Sequence, residues 1–276
     1  MKVSGIIHIH SKYSYDGTES LEFLKKFYKA KGYKFIIVTE HTEQLSDSKF
    51  NTFISRCEVL SEPDFVIIPG VEVLCKNELE ILALNVTKKF DISDPQKLIA
   101  AIQGLDGLAV LAHPVKSKGR LDLKSLKGLN GVEVWNYLHD SKNAPRNSNL
   151  KLLHSLRKMN NNVFAYAGVD FHTTKRTFEL IHYIELDESG LEKKLKKEGL
   201  VSLIIDSLKS GRYVIGHESL KISSDAKTTT NQTIKFGMST FIFDRYKMWR
   251  RISKQITKRL NINFPKFLYK IRDKMV

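Results

Sequence analysis

The sequence predicts an α/β fold, with a parallel sheet closed or distorted into a barrel and a basic extension at its C-terminal end. Three observations predict it. Through residues 1–220, short β-rich runs alternate with helical patterns, and no long low-complexity linker interrupts them. Residues with metal-binding chemistry fall at the C-terminal ends of successive apolar runs, and in a parallel barrel those ends open on one rim. Charge is unevenly placed: residues 221–276 hold 14 Lys/Arg against 3 Asp/Glu, so +11 of the chain's +15 lies in the tail and +4 in the rest. A basic tail speaks for a docking surface rather than for a body that binds nucleic acid throughout.

In chain order, strands are expected near Ile6 to His10, Phe35 to Thr39, Phe65 to Pro69, Glu80 to Leu84, Leu108 to Ala112, Gly131 to Trp135, Phe164 to Gly168 and His182 to Leu186. Between the first two, Thr18 is placed to cap a helix carrying Leu21, Leu24, Phe27 and Tyr28 and ending at Lys31-Gly32. Further helical patterns cover Asp47 to Leu60, Asp94-Pro95 to Gln103 and Leu150 to Met159. An open doubly wound sheet is the competing arrangement. No G-x-G-x-x-G or G-x-x-x-x-G-K-[ST] sits at a strand-to-helix turn, so a nucleotide fold has no fingerprint.

Met1-Lys2-Val3 leads directly into the first strand, without an apolar leader or a small-residue cleavage site, and no run reaches the ~18 apolar residues of a membrane span. Cys57 and Cys75 lack C-x-x-C spacing and are read as structural thiols. A cytoplasmic setting is expected, with peripheral membrane contact as the variant that the tail allows.

The candidate site begins at His8-Ile9-His10. Strand alternation puts both imidazoles on one face, where they can grip a divalent cation together, and Asp16 adds a carboxylate just beyond. Glu40-His41, Glu72, His113-Pro114 and Asp170-Phe171-His172 follow, each at the end of an apolar run. Any one of them alone is an ordinary loop side chain. Together they point to a metal cluster.

These segments form an ordered set: H-x-H with Asp16, Thr39-Glu40-His41, Gly70-Val71-Glu72, His113-Pro114 and Gly168-Val169-Asp170-Phe171-His172. The set resembles the hallmark motifs of the polymerase and histidinol phosphatase superfamily, PHP, over about residues 3–215. Glu133 to Asn136 also resembles that family's E-x-x-N strand. The resemblance implies a distorted (β/α)7 TIM-like barrel with two or three divalent metal ions (Mn, Zn or Fe) at its mouth. It implies that His8, His10, Glu72 and Asp170 hold one ion and that Glu72 bridges to a second held by His113. Asp16, His41 and His172 would hold a third. Many relatives have a histidine in the strand where this chain has Glu80. Glu80 is therefore included as a ligand, and its oxygen donor shifts preference toward manganese or iron.

Such a cluster suits phosphoester hydrolysis with a metal-bound hydroxide as nucleophile. Asp170 and His172 are the chain's own candidates for moving the leaving-group proton. Arg120 and Arg146 are the candidate substrate-binding residues for a phosphate; Lys116, Lys175 and Arg176 are further cations near the rim, and Tyr13, Tyr15, Trp135 and Tyr137 further aromatics. The expected activity is a phosphomonoesterase acting on a small phosphorylated metabolite or nucleotide. The alternatives are a nuclease or protein tyrosine phosphatase recruited by the tail, and a non-enzymatic metal-binding scaffold.

From about residue 221 the tail opens with a polar stretch. Trp249, Ile252, Ile256 and Leu260 then recur at helical spacing among Arg and Lys. Packing on the barrel is the plain expectation for this extension; an anionic membrane surface and nucleic acid, met through residues 240–276, are the sharper ones.

Overall fold

A computed structural model describes residues 1–117, 121–174, 179–186, 197–217 and 219–260. Ten strands form one sheet: β1 (Lys2–Ile9), β2 (Phe35–His41), β3 (Val66–Cys75), β4 (Leu79–Leu84), β5 (Leu108–Leu111), β6 (Gly131–Asn136), β7 (Phe164–Gly168), β8 (Ile181–Glu185), β9 (Tyr213–His217) and β10 (Leu220–Ser223). Their order is β10-β9-β8-β1-β2-β3-β4-β5-β6-β7. Around it lie α1 (Leu21–Ala30), α2 (Asp47–Leu60), α3 (Pro95–Gln103), α4 (Asn147–Arg157), α5 (Lys197–Ser210) and α6 (Thr230–Leu260).

The sheet is nearly closed. Where β7 ends, its chain returns beside the end of β1: Val169 N donates to Ile7 O at 3.1 Å, Phe171 N to His8 O at 3.3 Å and His10 N to Phe171 O at 2.8 Å. This closure brings the first and last motif segments into contact across more than 150 residues.

The sheet is mixed rather than parallel throughout. β1, β2 and β3 run parallel, as do β5, β6 and β7, but β4 is antiparallel to both neighbours and β8 to β1. The reason is connection length: only Lys76–Glu78 separate β3 from β4, and a parallel partner needs a crossover of about a dozen residues. β9 and β10 are short hairpin strands added at the sheet's edge. β10 pairs with β9 from Leu220 to Ser223.

Local chemistry explains the elements. Every residue of β2 is buried, as expected of a strand covered on both faces. α1 is capped by Ser20, not Thr18; its Oγ accepts from Phe23 N at 3.2 Å. Ser46 and Asp94 cap α2 and α3 in the same way. Cys57 and Cys75 are free and buried. Among the described residues no helix is long and apolar enough to cross a membrane.

His182 on β8 lies within the barrel, where burial lowers its pKa from 6.5 to about 3 and its Nε2 accepts from Ala167 N at 3.4 Å. The unfolded chain takes up this proton near pH 6.5 and the folded chain does not. Its contribution to stability is therefore complete above pH 6.5 and is lost as pH falls toward 3, at up to about 1.4 kcal/mol per pH unit. His182→Gln keeps an acceptor but cannot titrate. Denaturant unfolding across that window should show a slope smaller by one proton, and an unchanged slope would count against a neutral buried imidazole.

Candidate metal centre

The site is built where strands end. β1 delivers His8 and His10, β2 ends on His41, β3 carries Glu72, and His113 follows β5. Asp170 and His172 follow β7 beside the β1 closure. Three of these residues have positive φ: His8 at 67°, His113 at 22° and Asp170 at 52°. Non-glycine residues adopt such angles rarely, and they concentrate where a side chain must be aimed against the local backbone preference. His8 also sits at a register shift between β1 and β2, so a bulge, rather than plain alternation, turns both imidazoles inward.

Glu72 is the hub. Its Oε2 lies 3.3 Å from His8 Nε2, 3.3 Å from His10 Nε2 and 3.4 Å from His41 Nδ1, and its Oε1 lies 3.0 Å from His113 Nε2. Asp170 faces it from the other side, with Oδ1 3.5 Å from His8 Nε2 and 3.6 Å from His10 Nε2. Asp16 Oδ2 stands 3.5 Å from His41 Nε2 and 3.0 Å from His172 Nε2. Glu80 Oε2 is 3.3 Å from His113 Nδ1 and 2.7 Å from Lys116 Nζ. All nine residues expected to hold metal are thus gathered at one mouth.

Two residues that the motif pattern did not assign to the site complete it. Glu133 on β6 is buried behind His8, with Oε1 2.7 Å from His8 Nδ1. Its Oε2 accepts from His113 N at 2.9 Å and from Asn136 Nδ2 at 3.0 Å. His139, in the loop after β6, places Nε2 3.2 Å from Asp170 Oδ2 and forms a further ligand-sized group with His113 and Asp170. The E-x-x-N pattern pointed toward Glu133. Nothing in the spacing singled out His139.

Hydrogen bonding shows which nitrogens face inward. His8 Nδ1 meets the Glu133 carboxylate, and His172 Nδ1 lies 2.9 Å from the Asp170 carbonyl oxygen. His10 Nδ1 lies 3.2 Å from Ser14 Oγ, a hydroxyl already donating to Glu40 and accepting from His41 N. Each Nδ1 is thereby the donor, which leaves Nε2 as a lone pair aimed at carboxylate oxygens. His10 Nε2 and His113 Nδ1 make no hydrogen bond although buried. Lone pairs facing carboxylates repel unless a proton or cation lies between them, so the donor set fits divalent metal ions. The described residues supply ligand-sized groups of both kinds the ions need, among them His10-Asp16-His41-His172, His8-His10-Glu72 and Glu72-Glu80-His113.

The electrostatics agree. Burial opposes charge on His8, yet Glu133, Glu72 and Asp170 together hold its pKa well above the usual imidazole value, so the anionic field that draws a proton to Nε2 is the one that would draw a metal ion to that lone pair in its place. Burial likewise opposes ionisation of Glu72 and Asp170, but the surrounding imidazoles keep both well below the usual carboxylate range. Burial raises the pKa of Glu40, whose carboxylate is held by Ser11 and Ser14 and so fixes the loop between His10 and Asp16.

Glu133→Gln should keep the shape behind His8 but replace an anionic acceptor with a neutral one. Metal affinity is expected to fall about 10- to 100-fold, measured by competition with a chelator. Unchanged affinity would mean that Glu133 does not tune His8.

The expected phosphate contacts fare differently. Arg146 does not reach the mouth: it is buried, its Nε donates to Asp140 Oδ1 at 2.7 Å, and its Nη1 and Nη2 fork onto Asp244 of α6 at 2.9 Å each. Its third contact, 3.2 Å to the His139 carbonyl oxygen, makes it a brace for the loop that carries His139. Arg120, Lys175 and Arg176 lie outside the described residues. Trp135 is buried in the core, donating from Nε1 to Ser141 O at 2.7 Å, while Tyr15 is exposed and stacks on His41 with ring centroids 5.0 Å apart. Beside the cluster, Asp16, Tyr137, Leu138, Asp170, His172 and Thr173 line a cavity of about 230 Å³.

The sequence profile of the PHP domain family matches residues 7–209. No curated protein matches the chain. Among solved structures, a two-domain protein from Bacteroides vulgatus, described as containing a predicted PHP-like metal-dependent phosphoesterase, is 15% identical. It superposes with a TM-score of 0.57 over 81% of this chain and 67% of its own. PsfC from Pseudomonas syringae is also 15% identical, with a TM-score of 0.52 over 89% of this chain and 98% of its own. These likenesses support the barrel fold.

Proposed function

Because the chain belongs to the PHP domain family, we propose that it is a metal-dependent phosphoesterase that hydrolyses a monoester of a small phosphorylated metabolite or nucleotide. The observation that carries the reading is the cluster itself, with imidazole lone pairs and carboxylates converging beside a cavity of about 230 Å³. A concave cavity beside such a cluster is the usual form of a small-molecule site.

Two to three divalent ions are proposed. His8, His10, Glu72 and Asp170 would hold the first, Glu72, Glu80 and His113 the second, and Asp16, His41 and His172 the third. When bound, such ions supply charge to phosphoryl oxygens and lower the pKa of bound water. The chain supplies the rest. Glu133 and Ser14 fix the imidazoles of His8 and His10 so that Nε2 faces inward. His172 and Asp170 both border the cavity; in a two-ion form, where Asp16, His41 and His172 hold no ion, a proton on the partly exposed His172 Nε2 would be placed to pass to the departing oxygen. Lys116, paired with Glu80 at the rim, balances that carboxylate until a cation takes its place.

The reading is tested by hydrolysis of an aryl phosphate monoester and the matching diester, with manganese, zinc or iron added. Metal-dependent turnover favouring the monoester is expected. Preference for the diester would favour the nuclease alternative, and no turnover with either would favour a scaffold.

A further inference from the structure

The long C-terminal helix is two-sided in a way that its packing on the barrel does not use up. On one side of α6, Phe236 and Phe243 are buried, Ser239 Oγ meets Ser141 Oγ at 2.6 Å, Asp244 pairs with Arg146, and Lys247 Nζ donates to His139 O at 3.1 Å. The opposite side carries Ile234, Met238, Phe241, Ile242, Met248 and Ile252, all exposed at between 45% and 61%. At 100° per residue these six fall within one arc of about 120° centred opposite Phe236 and Phe243, with Met238 and Ile242 at its edge bordering a groove against Ser141 and Asn143. Isolated exposed apolar residues need no explanation, but a stripe continuous over five turns does.

Charge identifies what would cover it. The helix sequence from Thr230 to Leu260 holds eight Lys/Arg and one acidic residue, Asp244, which is already committed to Arg146; of these cations Arg245 projects within the arc and Lys235 beside its edge, while Lys247 faces the barrel. Arg245 lies within the apolar arc itself, its guanidinium 5.2 Å from the Phe241 ring centroid. A second copy docking through this stripe in parallel register would set arginine against arginine at its centre. A surface that is both apolar and anionic meets every feature at once.

We propose that the outward face of α6 docks the protein onto an anionic lipid surface, with the apolar stripe entering the headgroup boundary and the cations at and beside the stripe, Arg245 and Lys235, meeting lipid phosphates and carboxylates. The barrel then sits on the far side of the helix. Because Lys247 and Asp244 are the residues that brace the His139 loop, the docked helix is also the one attached to the candidate site.

Co-sedimentation of the full chain with phosphatidylcholine vesicles, with and without phosphatidylserine, tests this. Binding to the anionic vesicles, weakened by salt and absent on the neutral ones, is expected. Phe241→Ser combined with Ile242→Ser should weaken it about tenfold or more while leaving the melting temperature and aryl phosphate turnover in solution unchanged. The proposal is overturned by any of three results: no binding to anionic vesicles, undiminished binding by the double variant, or a stable dimer in solution that the double variant dissociates. Binding to duplex DNA without binding to vesicles would likewise reassign the face to nucleic acid.

Discussion

Replacing Glu72 with alanine is expected to abolish phosphoester hydrolysis, by about a thousandfold or more, while the barrel stays folded. The magnitude follows from position. Among the described residues, Glu72 is the one carboxylate within 3.4 Å of four imidazoles, those of His8, His10, His41 and His113. Without it no neighbouring pair of ions would share a ligand, and the loss of several kcal/mol of charge stabilisation corresponds to about three or more factors of ten in rate. The fold should survive because the variant also relieves a buried charge, and the core strands around it are held by backbone pairing on both sides. The comparison to make is metal content and turnover of Glu72→Ala against the parent, with circular dichroism as the check on folding. A folded variant with parental activity would remove Glu72 from the centre of the scheme.

Gly168→Ala is the second large effect expected, and it acts without touching any proposed ligand. A Cβ on Gly168 would stand 1.8 Å from Glu133 Oε1 and 2.5 Å from its Cδ. The end of a glutamate side chain can ordinarily swing aside. This one is held by His8 Nδ1, His113 N and Asn136 Nδ2 at once, so moving it releases His8 and strips the His113 backbone of its acceptor. A loss of about 100-fold in metal affinity is expected from the lost support, with about 1–3 kcal/mol of destabilisation from overpacking. Titration with metal and denaturant unfolding measure the two separately. If neither changed, Glu133 would have room that the geometry does not show.

The same residues show how far the chain could be read before its structure. Most ligand positions were legible because His41, Glu72, His113 and Asp170 follow apolar runs and strand ends converge on one rim, whereas Asp16 lies in a polar loop and Glu80 came from the family resemblance alone. Strand direction was not legible: the expected runs, Phe65 to Pro69 and Glu80 to Leu84, leave ten residues between them, whereas β3 extends to Cys75 and leaves only Lys76–Glu78, too short for a crossover. Arg146 reads as a rim cation placed for a phosphate, because its partner Asp244 lies 98 residues away on a helix whose packing no local pattern reveals. His139 escaped for a similar reason. It reaches Asp170 only because Asn136, Arg146 and Lys247 fold its loop back over the mouth.

The central claim is that the cluster around Glu72 holds divalent metal, and elemental analysis of the purified protein tests it most directly. Two to three equivalents of manganese, iron or zinc per chain are expected, falling to one or fewer in Glu72→Ala. A folded parent protein that holds no divalent metal, even after dialysis against all three, would contradict the account.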